Sequence, residues 1–369
     1  MVIFQIVPRL PPNIDGMGDY ALNLACQLYQ DHDVKTHFII CDPSWTGTSE
    51  IAGFPITQVN KRSVHSLLLL LPNQHKTSNV VLLNYVGYAY ARKGCPLWLI
   101  KSLEFWKTLV VGSHLVTMFH GTYAFGPPWK SAFWLSPLQK SLADRLVKIS
   151  DSCLTNTQLY AKTVWELSRG KHARIPIVPV FSNIKEPESV LPLIERRCRL
   201  VVFGNIDSRL RIYLGSLATL HYACQLLSIE EIWDIGPLTG LNLSEINGVS
   251  VVEIGIQPAE EISGIFSSSL AGFMNYNPNC LAISSVFASY CAHGLLPINA
   301  NKSALTVDGI KAGNHYWVPD DKITSLKNVA ELQVIATNAY TWYQTHNLSI
   351  QAKLFASLLV EKSTYPSFK

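Results

Sequence analysis

Four stretches of the chain join a strand-like apolar run, a turn and a helical period, an order that gathers backbone N–H groups and polar side chains at one point. In PRLPPNIDGMGDYALNLACQL (8–28), Ala21, Leu24, Ala25 and Leu28 recur at spacing 0, 3, 4, 7, which predicts a helix with one buried face and its amino end in the loop. Gly16 and Gly18 leave that backbone open to a ligand; an ordinary tight turn uses the same residues. In LVTMFHGTYAFGPPWKSAFW (115–134) a strand ends at His120, where a neutral imidazole donates or accepts one hydrogen bond; the alternative is a satisfied core histidine. Tyr123, Phe125, Trp129, Phe133 and Trp134 follow in a proline-bearing segment, able to stack on a sugar or a lipid or simply to pack a long loop.

The other two stretches lie in the second half. RLVVFGNIDSRLRIY (199–213) is a strand ending in Gly204-Asn205 that enters a helix through Ser208. Arg209 and Arg211 fall in its first turn, where a cation opposes the helix dipole unless an anion binds; a solvated basic face is the plainer reading. FMNYNPNCLAISSVFASYCAHGLLPI (273–298) passes through an Asn/Pro loop into a helix whose buried face is Ile283, Val286, Phe287 and Tyr290. Ser284 and Ser285 open that helix, so hydroxyls and N–H groups converge as a phosphate requires, or as a bare cap does.

These turns need rigid elements behind them. Strands are expected at 2–7, 34–41, 79–85, 112–118, 151–155 and 176–180, with helices near 18–31, 62–72, 96–108, 136–148 and 157–169. A proline- and charge-rich segment at 182–199 interrupts the rhythm. It restarts with strands at 199–203, 231–235, 249–254, 270–274 and 295–298, helices near 208–228, 258–268 and 283–293, and a helix-forming tail from 327 to 363. The expectation is two Rossmann-like doubly wound α/β domains facing a ligand cleft, with the last helices packing back on the first domain. The boundaries are 1–183 for the first domain, 184–198 for a linker, 199–335 for the second domain and 336–369 for a helical segment.

Composition narrows the function. Of 369 residues, 15% are charged and 48% hydrophobic, which excludes a disordered chain, and a net charge of +4 is too weak to argue for nucleic acid. Eight cysteines without a CxxC pair read as reduced thiols. No apolar run approaches the ~20 residues a membrane span needs. MVIFQIVPRLPP reads as a first strand in place of a signal peptide, giving a cytoplasmic location, with the inner face of the membrane as an alternative.

Taken together the four stretches resemble glycosyltransferases of the GT-B fold, particularly the retaining family-four type. The resemblance implies that Gly16 and Gly18 line the cleft, that His120 approaches the donor sugar as the catalytic residue, and that Arg209 and Arg211 after Gly204 hold the donor diphosphate. Ala292-His293-Gly294-Leu295-Leu296-Pro297-Ile298 resembles the family's closing turn. Its two glutamates are missing: Leu281 and Ser289 stand near their places, and no Glu occurs between Glu261 and Glu331.

The implied activity is transfer of a sugar from a nucleoside-diphosphate sugar to a glycan, lipid-linked or small-molecule acceptor, with Ser284 and Ser285 at the leaving diphosphate. No cofactor beyond that co-substrate and no metal is expected, since no DxD-like pair lies in a suitable loop and Asp320-Asp321 reads as solvated. The competing readings are a nucleotide-sugar 2-epimerase, which needs acids for proton transfer, and a degenerate GT-B protein that binds a nucleotide or a partner without turnover.

Overall fold

The computed structural model describes residues 1–13, 15–73, 79–124, 127, 129–319 and 329–360. Phe125, Asp320 and Asp321 therefore lie outside the described residues.

The contacts divide the chain into two compact units: Met1–Pro179 together with the chain from Leu348 onward, and Val180–Asn347. The first is built on strands β1 (Val2–Val7), β2 (Lys35–Ile40), β3 (Glu50–Ile51), β4 (Phe54–Gln58), β5 (Val80–Tyr85), β6 (His114–Phe119) and β7 (Ser152–Thr155). They are ordered β3-β4-β2-β1-β5-β6-β7, parallel except where β3 turns back along β4. Every residue of β5 and β6 is buried, as a strand covered on both faces requires. The register sets Tyr85 beside Phe119 and Phe119 beside Thr155, so consecutive residues after β5, β6 and β7 emerge on one edge.

Helices α1 (Gly16–His32), α2 (Val64–Leu68), α3 (Gly87–Tyr90), α4 (Leu97–Leu109), α5 (Ser131–Ile149) and α6 (Gln158–Ser168) cover that sheet. Ala21, Leu24, Ala25 and Leu28 are all buried, the face their spacing demands. The strand expected at 176–180 is reduced to a single parallel bridge between Thr155 and Ile177, because Pro176 and Pro179 have no N–H to donate to a ladder.

The second unit orders its strands β10-β11-β9-β8-β12-β13, with β8 at Arg197–Phe203, β9 at Glu231–Ile235, β10 at Glu245–Ile246, β11 at Val249–Gly255, β12 at Ser269–Met274 and β13 at Leu296–Asn299. All pair in parallel except β10 with β11. Its helices are α7 (Ile206–Gly215), α8 (Leu217–Leu226), α9 (Ala259–Ser268), α10 (Ser285–Ala292) and α11 (Val329–Gln344). The single helix expected at 208–228 is two, divided at Ser216.

The segment expected as a linker at 184–198 is part of the second unit. Leu193 is buried in its core, and the Arg196 guanidinium donates to the carbonyls of Leu191, Phe266, Ser269 and His293. The last helix, α12 (Leu348–Val360), belongs to the first unit, where the buried Tyr20 hydroxyl of α1 donates to Gln351 Oε1 at 3.0 Å. Among the described residues no helix is long and apolar enough to cross a membrane, and all eight cysteines are free, four of them buried.

Candidate functional site

In the second unit the turn after β8 meets the start of α10. Gly204 has φ +141°, and a Cβ there would lie 2.5 Å from Ser208 Oγ and 3.6 Å from Val286 Cγ2. Glycine is needed for the left-handed backbone and for the close approach of Ser208, while Val286 at the start of α10 stands at ordinary contact distance. Asn205 caps α7 by accepting the Ser208 N–H at 2.8 Å, and Ser284 caps α10 by accepting the Phe287 N–H at 3.2 Å. Each helix still presents first-turn N–H groups that have no intrahelical acceptor, as every helix start does.

Ser284 is buried and is the cap itself, and Ser285 is the first helical residue. Ile283, expected on the helix face, belongs to the preceding 3-10 turn Pro278–Ile283, while Phe287 through Ala292 are buried all round. Tyr276 adds a phenol beside Ser284 and near Arg211; burial raises its pKa and the Arg211 charge opposes that rise.

Arg209 turns into the unit and away from the expected ligand. It is 1% exposed, its Nε donates to the Gly204 carbonyl at 3.0 Å, Nη1 pairs with Asp234, and Nη2 donates to the Pro237 carbonyl. Asp234 also accepts the Tyr213 hydroxyl. All three guanidinium nitrogens are thus committed inside the unit, and Arg209 positions the turns after β8 and β9 where direct diphosphate contact was expected. Arg211 is exposed and borders, with Asp207, Leu210, Leu214, Gly215 and Asn275, an open depression of about 510 Å³.

In the first unit His120 follows β6. Its Nε2 lies 3.0 Å from Asn84 Oδ1, its backbone N–H donates to the Tyr85 carbonyl at 2.9 Å, and the Tyr20 ring stands edge-on at 4.9 Å. Burial lowers its pKa to about 4, so near pH 7 the ring is a neutral hydrogen-bonding group. Gln351 braces this arrangement from α12, since its Nε2 donates to the Pro179 carbonyl at 2.6 Å while its Oε1 holds Tyr20.

The glycine loop differs from its expected use. Asp15 caps α1 with its own carboxylate, accepting the Met17 N–H at 2.9 Å and the Gly18 N–H at 3.3 Å, so the anion at this helix start is internal. Gly18 is buried, and a Cβ there would come within 2.6 Å of the Arg9 carbonyl oxygen; its smallness serves packing. Gly16 faces open space. Asp19, one turn on, has its pKa raised to about 6 by burial and by the Asp15 charge. Asp15, Asp19 and Asn84 stand outside the residues whose spacing suggested a site, although an Asp before a helix start is a capping signal.

Near the closing turn, the buried His293 is held between the carbonyls of Ser289 and Lys185, and Ser289 meets the Ser182 hydroxyl at 2.9 Å. Leu281 is buried. Neither position where the resemblance places a glutamate therefore offers a carboxylate. Among the described residues no three His, Cys, Asp or Glu side chains are grouped to hold a metal ion.

No sequence-family profile and no curated protein sequence matches the chain. Solved structures share its architecture from end to end. The apo form of the lipopolysaccharide outer core galactosyltransferase WaaB aligns with a TM-score of 0.56 at 15% identity, over 98% of this chain and 100% of its own. The pneumococcal O-GlcNAc transferase GtfA, in complex with UDP and GlcNAc, gives 0.57 at 8% identity over 98% and 99%. UDP-GlcNAc 2-epimerase from Methanocaldococcus jannaschii gives 0.55 at 10% identity over 98% and 100%. The likeness is one of fold: the chain has the two-domain α/β architecture of GT-B proteins.

Proposed function

We propose that the protein is a glycosyltransferase that moves a sugar from a nucleoside-diphosphate sugar to a glycan, lipid-linked or small-molecule acceptor, with retention as the family resemblance implies. The observation that carries the reading is the meeting of the α7 and α10 helix starts beside Gly204, in a fold shared with proteins solved with UDP. As the glycosidic bond breaks, its electron pair leaves with the diphosphate, and helix-start N–H groups oriented before the reaction stabilise that growing charge. Arg211 supplies an exposed cation nearby. His120, neutral and fixed by Asn84, is assigned to a sugar hydroxyl. The acceptor oxygen forms the new bond to the anomeric carbon, and its proton passes to the departing diphosphate.

Incubation with UDP- and GDP-sugars tests this, through release of free nucleoside diphosphate. The parent should turn over at least one donor. His120→Ala should lower kcat and kcat/KM together with nucleotide affinity retained, the signature of a transition-state contact. Binding without turnover would favour the non-catalytic reading, to which buried Leu281 and Ser289 lend weight. A change of the sugar's own stereochemistry would favour an epimerase.

A further inference from the structure

We propose that an exposed face of the first unit, centred on the amino-terminal half of α5, docks on an anionic lipid bilayer. Trp129 and Trp134 are 83% and 71% exposed, and Phe133 and Leu138 beside them are exposed as well. Trp134 and Leu138 stand four residues apart on one line of the helix, and the Phe133 and Trp134 rings contact at 5.4 Å. Two largely exposed indoles five residues apart, one just before α5 and one in its first turn, cost solubility, whereas at a membrane interface such rings are favoured.

Charge names the occupant. Residues 86–175 hold twelve Lys or Arg against four Asp or Glu, a net of +8 in a chain whose total is +4. Three of those four acids are neutralised within the same stretch: Glu104 by Arg145, Asp144 by Lys148 and Asp151 by Lys107. Lys130 and Lys140, both exposed, flank the aromatic cluster. Exposed lysines beside protruding apolar side chains, on a stretch of net positive charge, match a lipid headgroup layer with hydrocarbon beneath it. A nucleic acid would use the charge but gain little from Leu138 and Phe133.

The inference does not depend on the transferase reading, because docking is measured without nucleotide. The full chain is sedimented with extruded phosphatidylcholine vesicles, with and without about 30 mol% phosphatidylglycerol. Binding should require the anionic lipid and weaken as salt is raised. The Trp129→Ser/Trp134→Ser variant should bind roughly tenfold more weakly or worse, and Lys130→Gln/Lys140→Gln should lose part of the salt-sensitive attraction, both at the parent's melting temperature. The proposal fails if the parent ignores anionic vesicles, if the tryptophan variant binds them as the parent does, or if a short DNA duplex is bound more tightly than the vesicles.

Discussion

Arg209 and Arg211 lie two residues apart and face opposite fates, which makes them a test of how side-chain direction divides structure from binding. Arg209→Ala leaves Asp234 buried without its cation and should cost about 3–5 kcal/mol in urea unfolding. Arg211→Ala should leave unfolding unchanged and weaken UDP or GDP binding by about 1.5–3 kcal/mol, the range for a hydrogen bond to a charged group. An Arg209→Ala protein as stable as the parent would show that the Asp234 pair is dispensable. The inward turn of Arg209 was readable: with Ile212 and Tyr213 it forms one buried row at helical spacing. Its partner was not, because Asp234 lies on a different strand and only the sheet brings the two together.

At the scale of elements, the strands and helices around the candidate site were the legible part, since β5, β6, β8 and β12 are apolar runs between helical periods. Elements set by single backbone groups were missed or misplaced. The β10–β11 hairpin turns through Asn247-Gly248, both at positive φ, an Asn-Gly signal that marks a two-residue hairpin turn. The start of α10 was placed early, because the 3-10 turn before it continues the same apolar sequence. Which serine caps this helix follows from the backbone at Ser284, extended with φ −94° and ψ 109°. Ser284→Ala should therefore destabilise the protein by about 1 kcal/mol in denaturant unfolding, as removal of a cap does. Ser285→Ala should have a smaller effect on stability. The reverse order would move the cap to Ser285.

For the whole molecule, buried titratable groups set how the fold responds to acid. His120, His293 and His346 each have a pKa lowered from 6.5 to about 4 by burial. Between those values the unfolded chain binds protons that the folded chain refuses, so their contribution is present above pH 6.5 and is lost as pH falls toward 4. Asp19 works in the opposite direction: its pKa rises from 3.8 to about 6, so its contribution is present at low pH and is lost as pH rises through 6. The three histidines outweigh the one aspartate, and melting temperature should fall from pH 6.5 to pH 4. Asp19→Asn should raise the melting temperature at pH 7 and steepen the fall. A flat profile for the parent would contradict the burial of these rings.

If the first turn of α10 holds the diphosphate of a nucleotide sugar, calorimetric titration of UDP and GDP into the parent and into Ser285→Glu will read it out. Glutamate at the first position of a helix suits the dipole and should leave folding intact, while its carboxylate takes the phosphate's place. The parent should bind at least one of the two nucleotides, and Ser285→Glu, with an unchanged melting temperature, should bind neither. A Ser285→Glu protein that binds a nucleoside diphosphate as tightly as the parent would place the donor elsewhere and contradict the account.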